Sequence, residues 1–259
     1  MESAIIAGTG VYNLPGFEFE KQVVETVYGS ALVNVGRKDG FELAFLARHG
    51  LDHTTPPHKI NYKANIMALH QLGIKQVIAI YAVGSINRAI PPAGMAVLSD
   101  LLDFTSGRPL SFYEGGKSGL AHTSMDEPYC PVLSQRLLQL APEYGLTLHP
   151  GAVYVCTNGP RLETPAEIRM FAGLGGDVVG MTGQPEATLA RELKIHFAAV
   201  AYSINWAAGL EKSIQFVGEG MEEAKKNLSL LLIRTLQENP EKSCNCENAV
   251  MFMHMPEKE

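Results

Sequence analysis

Apolar residues fall in short blocks along this chain, and most blocks leave no polar face. "SAIIAG" from Ser3, "FELAFLARHG" from Phe41, "QVIAIYAVGS" from Gln76, "GMAVLSD" from Gly94, "GAVYVCTNGP" from Gly151, "DVVGMTG" from Asp177 and "HFAAVAYSIN" from His196 are of this kind. Runs apolar on both faces are what strands covered by helices on either side look like. Between them, "NYKANIMALHQLG", "PVLSQRLLQLAPEYG", "TPAEIRMFAGLG" and "QPEATLARELK" carry helical spacing, and several end at Gly. A last helix is expected over about Met221 to Gln237. The pattern predicts one α/β domain over residues 1–237 with a central mixed sheet flanked by helices, then a polar tail over 238–259 that is expected to be mobile.

Composition narrows the classes. The chain has 259 residues, 46% of them hydrophobic and 19% charged, which describes a compact globular protein with a large core. No apolar run approaches the roughly 20 residues of a spanning helix, and the first residues lack the basic start of a signal peptide, so a cytoplasmic protein without a membrane partner is expected. The net charge of -6, with no basic cluster, argues against nucleic acid, yet one positive pocket can still take a small anion. Four cysteines establish no disulfide framework, and Cys244 and Cys246 read as inert residues of the tail.

In α/β sheets, ligands collect where strands end. In "AGTGVYN", Asn13 stands where a dinucleotide fingerprint needs its third Gly, so that reading fails, although Gly8, Thr9 and Gly10 suit either a structural turn or an anion cradle. Arg48 and His49 in "ARHGLDH" offer phosphate donors or a surface ion pair. A metal on His49, His53 and His58 is disfavoured, because Pro56 and Pro57 forbid a helix through the cluster. "GGKSG" lacks the first Gly of a P-loop, since Ser111 stands there. Tyr81, Ala82 and Gly84 form a small-residue strand end, Glu163 precedes a helix that Thr164 and Pro165 would open, and Met181 and Thr182 follow another strand. Each has a bland structural explanation beside the functional one. Asn205 is harder to dismiss. It closes an apolar run, and a buried amide without partners costs roughly 1 to 3 kcal/mol.

In this order, "GTG", "ARHG", "NYKANI", "GS", "SFYEG", "EPYCP", "GPRLETPAE", "GMTGQPE" and "SINWAAG" resemble the trimeric purine nucleoside phosphorylases, most of all the methylthioadenosine and methylthioinosine phosphorylase branch, over about residues 4 to 236. The resemblance implies the nucleoside phosphorylase fold, with a partly barrel-like sheet. It also implies phosphorolysis: phosphate attacks C1' of a nucleoside, releasing purine and a sugar 1-phosphate. By similarity Thr9, Arg48, His49, the Ala82 backbone and Thr182 hold phosphate, Met181 lies against the ribose, and Glu163 and Asn205 face the base as catalytic residues. Trp206 and Ala207 accompany them, Phe216 and Val217 line the 5' pocket or belong to the core, and His122 reaches the site from a neighbouring subunit of a homotrimer. Phosphate is a co-substrate; no cofactor and no metal are implied.

Adenine-specific relatives are similar here but carry aspartates at the places of Asn205 and Ala207 and a serine at that of Glu163. An amide can donate to O6 and accept from N7-H, and an ionised carboxylate accepts N1-H, so a 6-oxopurine is expected. Similar phosphorylases selective for a 5'-hydroxyl carry a histidine in the segment after the Asn motif, and "GLEKSIQFVGEG" has none, so the resemblance implies a 5'-methylthio group, hence S-methyl-5'-thioinosine, with an inosine and guanosine phosphorylase or a methylthioadenosine phosphorylase as the alternatives.

Overall fold

The computed structural model describes all residues except 9–13, 51, 53, 218–220, 242 and 257–259. Nine strands form one mixed sheet, in the order β10-β6-β8-β9-β5-β1-β4-β3-β2. Parallel pairs join β1 (Ser3–Ala7) to β4 (Phe41–Ala47) and to β5 (Gln76–Ser85), and β6 (Met95–Asp103) to β8 (Leu148–Cys156). β8 also runs parallel to β9 (Val178–Gly180), which is antiparallel to β5. β10 (His196–Trp206) pairs with both β6 and β5, which closes β5, β9, β8, β6 and β10 into a ring. The expected barrel-like portion is this ring.

Apolar character on both faces has its consequence in two core layers. Successive residues of β1, Ile5 and Ile6, enter different layers. Ile6, Leu46, Val77, Tyr81 and Phe197 pack with α1 (Tyr62–Gln71) and α4 (Glu186–Glu192). Ile5, Phe45, Ile78 and Val200 pack on the other side with α2 (Pro131–Leu140) and α5 (Glu222–Glu238). The helix starts follow their sequence signals. Asn61 accepts from the Ala64 N–H, and Thr164 and Glu167 form a reciprocal capping box that opens α3 (Pro165–Gly173). Among the described residues, no helix is long and apolar enough to cross a membrane.

Two features depart from the pattern reading. The hairpin of β2 (Phe19–Thr26) and β3 (Gly29–Lys38) was not among the expected strands, because β2 is mostly exposed and its charged positions mask the alternation. The segment after Glu238, expected to be a mobile polar tail, has regular structure instead. Its strand β11 (Val250–His254) pairs with β7 (Leu120–Thr123), and Cys246 is buried, so an apolar thiol and a strand partner fix a stretch that its polar composition disguises.

Candidate active site

The ends of β1, β4, β5, β9 and β10 open into one cavity of about 390 Å³, within the usual range for small-molecule sites. Its lining holds Gly8, Arg48, His49, Ala82 and Thr182, together with Glu163, Met181, Asn205, Ala207 and Phe216. Nine of the thirteen expected site residues thus come together here or border it. Thr9 lies outside the described residues, as does His53. Trp206 and Val217 line a different depression, and His122 lies exposed on β7, away from the cavity of its own chain. The bulge that re-aims Asn205 accounts for Trp206: its ring faces Arg88, whose guanidinium carbon is 4.7 Å from the ring centroid.

Arg48 is wholly buried at the end of β4. Its Nε and Nη2 donate to the two carboxylate oxygens of Glu186 at 3.0 and 2.9 Å, and Nη1 donates to the Ile80 carbonyl at 2.7 Å. Nη2 also reaches the Ile6 carbonyl at 3.5 Å. Burial alone would ease the proton off this guanidinium, but the Glu186 charge and hydrogen bonds outweigh it and leave Arg48 more firmly cationic than usual. Tyr81 completes the cluster, donating to Glu186 at 2.8 Å beneath the guanidinium. Four of the five Arg48 N–H groups are therefore committed; among the described residues the second on Nη1 has no protein acceptor, and it lies on the Gly8 side. A Cβ at Gly8 would stand 2.9 Å from Nη1 and 3.1 Å from the His49 ring, so only Gly lets the β1 loop approach both.

His49 Nδ1 lies 2.8 Å from the Thr55 carbonyl. A carbonyl only accepts, so Nδ1 carries a proton, and Nε2 is the nitrogen nearer Gly8. Thr182 is buried, and its N–H donates to the Tyr154 hydroxyl at 3.2 Å. A cavity end with a fixed cation, an imidazole and a buried hydroxyl suits an oxyanion.

Asn205 is 5% exposed and owes its position to a bulge. β10 and β5 run in register from His196 opposite Gln76 to Ser203 opposite Val83, and then Asn205, not Ile204, stands opposite Gly84. The extra residue turns both Ile204 and Asn205 to the cavity. Nδ2 donates to the Trp206 carbonyl at 2.7 Å, which fixes the amide plane and leaves one N–H and Oδ1 for another partner. Glu163 Oε1 accepts from the Thr157 hydroxyl at 2.7 Å, leaving Oε2 as a pure acceptor when the group is ionised.

Sequence reasoning missed Glu186 and Arg108. Glu186 lay in "GMTGQPE", but nothing local shows that a charge there backs an arginine 138 residues away. Arg108 donates to the carbonyls of Met181 at 2.8 Å, Asn158 at 3.0 Å and Gln184, and so ties the loop after β8 to the one after β9. A third omission is a group outside the cavity, Cys130, His196, Cys244 and Cys246, whose parts lie 66 and 48 residues apart and leave no motif beyond C-x-C.

Residues 4–237 match the phosphorylase superfamily. The chain is 45% identical over 255 residues to a probable 6-oxopurine nucleoside phosphorylase of Moorella thermoacetica, covering 96% of this chain and 98% of the relative. It is 44% identical to the 6-oxopurine nucleoside phosphorylase of Pyrococcus furiosus (95% and 97% covered) and 43% identical to a probable S-methyl-5'-thioinosine phosphorylase of Methanopyrus kandleri (96% and 97%). Among solved structures, a methylthioadenosine phosphorylase from an antarctic soil metagenomic library superimposes with a TM-score of 0.87 at 28% identity, covering 96% of this chain and 91% of that one.

Proposed function

The chain belongs to the phosphorylase superfamily, and from that membership we propose that its cavity performs phosphorolysis of a 6-oxopurine nucleoside, with S-methyl-5'-thioinosine as the leading substrate. The observation that supports the reading is the cavity itself, which brings Arg48, His49 and Thr182 into one lining with Asn205 and Glu163. The enzyme is a pentosyltransferase. A phosphate oxygen forms a bond to C1' while the bond from C1' to the purine nitrogen breaks, and the bonding pair leaves with the base.

Positive charge develops on the ribose and negative charge on the departing purine, so the protein's task is orientation and charge stabilisation. Arg48, fixed from behind by Glu186, presents its remaining Nη1 hydrogen to phosphate, and Thr9 is assigned beside it by family resemblance. Imidazolium His49 donates to a dianion through Nε2, and neutral His49 accepts from a monoanion there. At the base, the spare N–H of Asn205 meets O6 and its Oδ1 meets N7-H as the purine leaves, while Glu163 accepts N1-H. Adenine offers a lone pair at N1 and a donor at C6, which reverses the match and leaves buried polar groups unpaired.

The 5' end is assigned to Phe216 and Ile214, apolar side chains on the cavity wall. Phe216 is 60% exposed in the single chain, which leaves it available to a covering residue. We assign that cover to His122 of a neighbouring subunit in a homotrimer, and the enzyme to cytoplasmic purine salvage, where phosphate is abundant. Released base should be followed for methylthioinosine, inosine, guanosine, methylthioadenosine and adenosine, all with phosphate. The expected order places methylthioinosine first and both 6-amino compounds last; faster turnover of methylthioadenosine than of any 6-oxo compound overturns the assignment of Asn205 and Glu163.

A further inference from the structure

At the start of β10, far from the cavity, three sulfurs and one imidazole nitrogen converge. Cys130, His196, Cys244 and Cys246 place one donor atom each within 4.8 Å of all the others. Cys130 Sγ lies 3.7 Å from Cys244 Sγ and 3.7 Å from His196 Nδ1, and Cys244 Sγ lies 3.2 Å from that nitrogen. Around a tetrahedral zinc ion, with metal–sulfur bonds of about 2.3 Å and metal–nitrogen bonds of about 2.0 Å, sulfur–sulfur edges are roughly 3.7 Å and sulfur–nitrogen edges roughly 3.5 Å. We propose that Cys130, His196, Cys244 and Cys246 form a structural zinc site that fastens the C-terminal segment to the body of the enzyme.

The surroundings suit a closed tetrahedral site. Cys130 and His196 are held by the scaffold, at the N-terminus of α2 and the first residue of β10, and the Cys130 N–H is hydrogen-bonded to the Phe197 carbonyl at 2.6 Å. The other two ligands arrive on the segment after α5, one residue apart on either side of Asn245. With Nδ1 toward the sulfurs, His196 turns Nε2 to Glu247, 3.7 Å away, the outer carboxylate that commonly orients a metal-binding imidazole. All four cysteines of the chain are free thiols, and a disulfide, with sulfurs about 2.05 Å apart, would have no use for the imidazole nitrogen aimed at them. Thiols crowded this closely around an imidazole nitrogen give up their protons when a divalent cation binds them.

Three thiolates and a neutral imidazole favour zinc over harder ions. On binding, each thiol proton passes to solvent as its sulfur–zinc bond forms, His196 contributes the Nδ1 lone pair, and no electron is transferred. The role is structural, because His196 and Asn205 lie nine residues apart on β10, roughly 30 Å of strand. Filling the site ties the tail to α2 and β10 and supports the β11–β7 pair.

The test uses the full chain purified in reductant without chelator. Elemental analysis should find about one zinc per chain, as a closed four-ligand site requires. After chelation, titration with cobalt(II) should give a thiolate-to-cobalt charge-transfer band with intense tetrahedral ligand-field bands. The C244S/C246S variant should show neither zinc nor band and should be cut faster by protease beyond Glu238. Absence of zinc together with a cobalt titration lacking the thiolate band overturns the proposal, even if the variant misfolds, because that measurement needs only the unaltered chain. A Cys244–Cys246 disulfide in the thiol-blocked native protein overturns it equally.

Discussion

On the proposed function, Asn205 is the side chain that decides between purines. A plain strand would leave its amide as an unexplained polar group at the end of an apolar run, but the Trp206 carbonyl takes one N–H and leaves a donor and an acceptor over the cavity. Ala207, buried beside it, keeps that end neutral. Exchanging both, Asn205→Asp with Ala207→Asp, supplies an acceptor for a 6-amino group and for a protonated N7. The ratio of kcat/KM for inosine to that for adenosine should fall by roughly a hundredfold or more, since polar mismatches of this sort discriminate strongly. An unchanged ratio would show that the base lies elsewhere. The identities of these residues could be read in the sequence, and so could the family that gives them meaning. The Trp206 hydrogen bond could not, because it depends on a bulge that no local pattern announces.

The sheet and helices are the part most open to sequence reading. Strands apolar on both faces and helices started by Asn61 and Thr164 are encoded within a few residues of one another. The hairpin β2–β3 escaped because charged positions of β2 mask its alternation, and β11 because its short apolar run, Val250 to Met253, stands in an otherwise polar segment and needs β7 as a partner. The same holds for the contact between α4 and the end of β4. Glu186 and Arg48 are each 1% exposed at the side chain, so neither charge has water to fall back on. Glu186→Ala should destabilise the fold by about 3 to 5 kcal/mol, the usual cost of stranding one partner of a buried pair. It should also raise the KM for phosphate more than that for nucleoside. Denaturant unfolding checks the first effect; a loss under about 1 kcal/mol, below that of most buried pairs, would mean that the Ile80 and Ile6 carbonyls suffice to hold Arg48.

Over the whole molecule, the closed ring of β5, β9, β8, β6 and β10 brings strand ends from distant parts of the chain to one opening. Gly8, Arg48, Glu163, Thr182 and Asn205 are separated by up to 197 positions in the sequence and share a single cavity only through that topology. The cysteine and histidine group follows the same logic at the opposite end of β10, which is why its C-x-C read as inert while its partners were out of sight. On the proposed function, the Arg48 end of the cavity holds phosphate, and phosphate, not water, attacks the sugar. Hypoxanthine release from methylthioinosine or inosine, measured with phosphate and after its complete removal, tests this most directly. The expected result is release only with phosphate, with one sugar 1-phosphate formed per base; release at the same rate without phosphate, yielding free sugar, would contradict it.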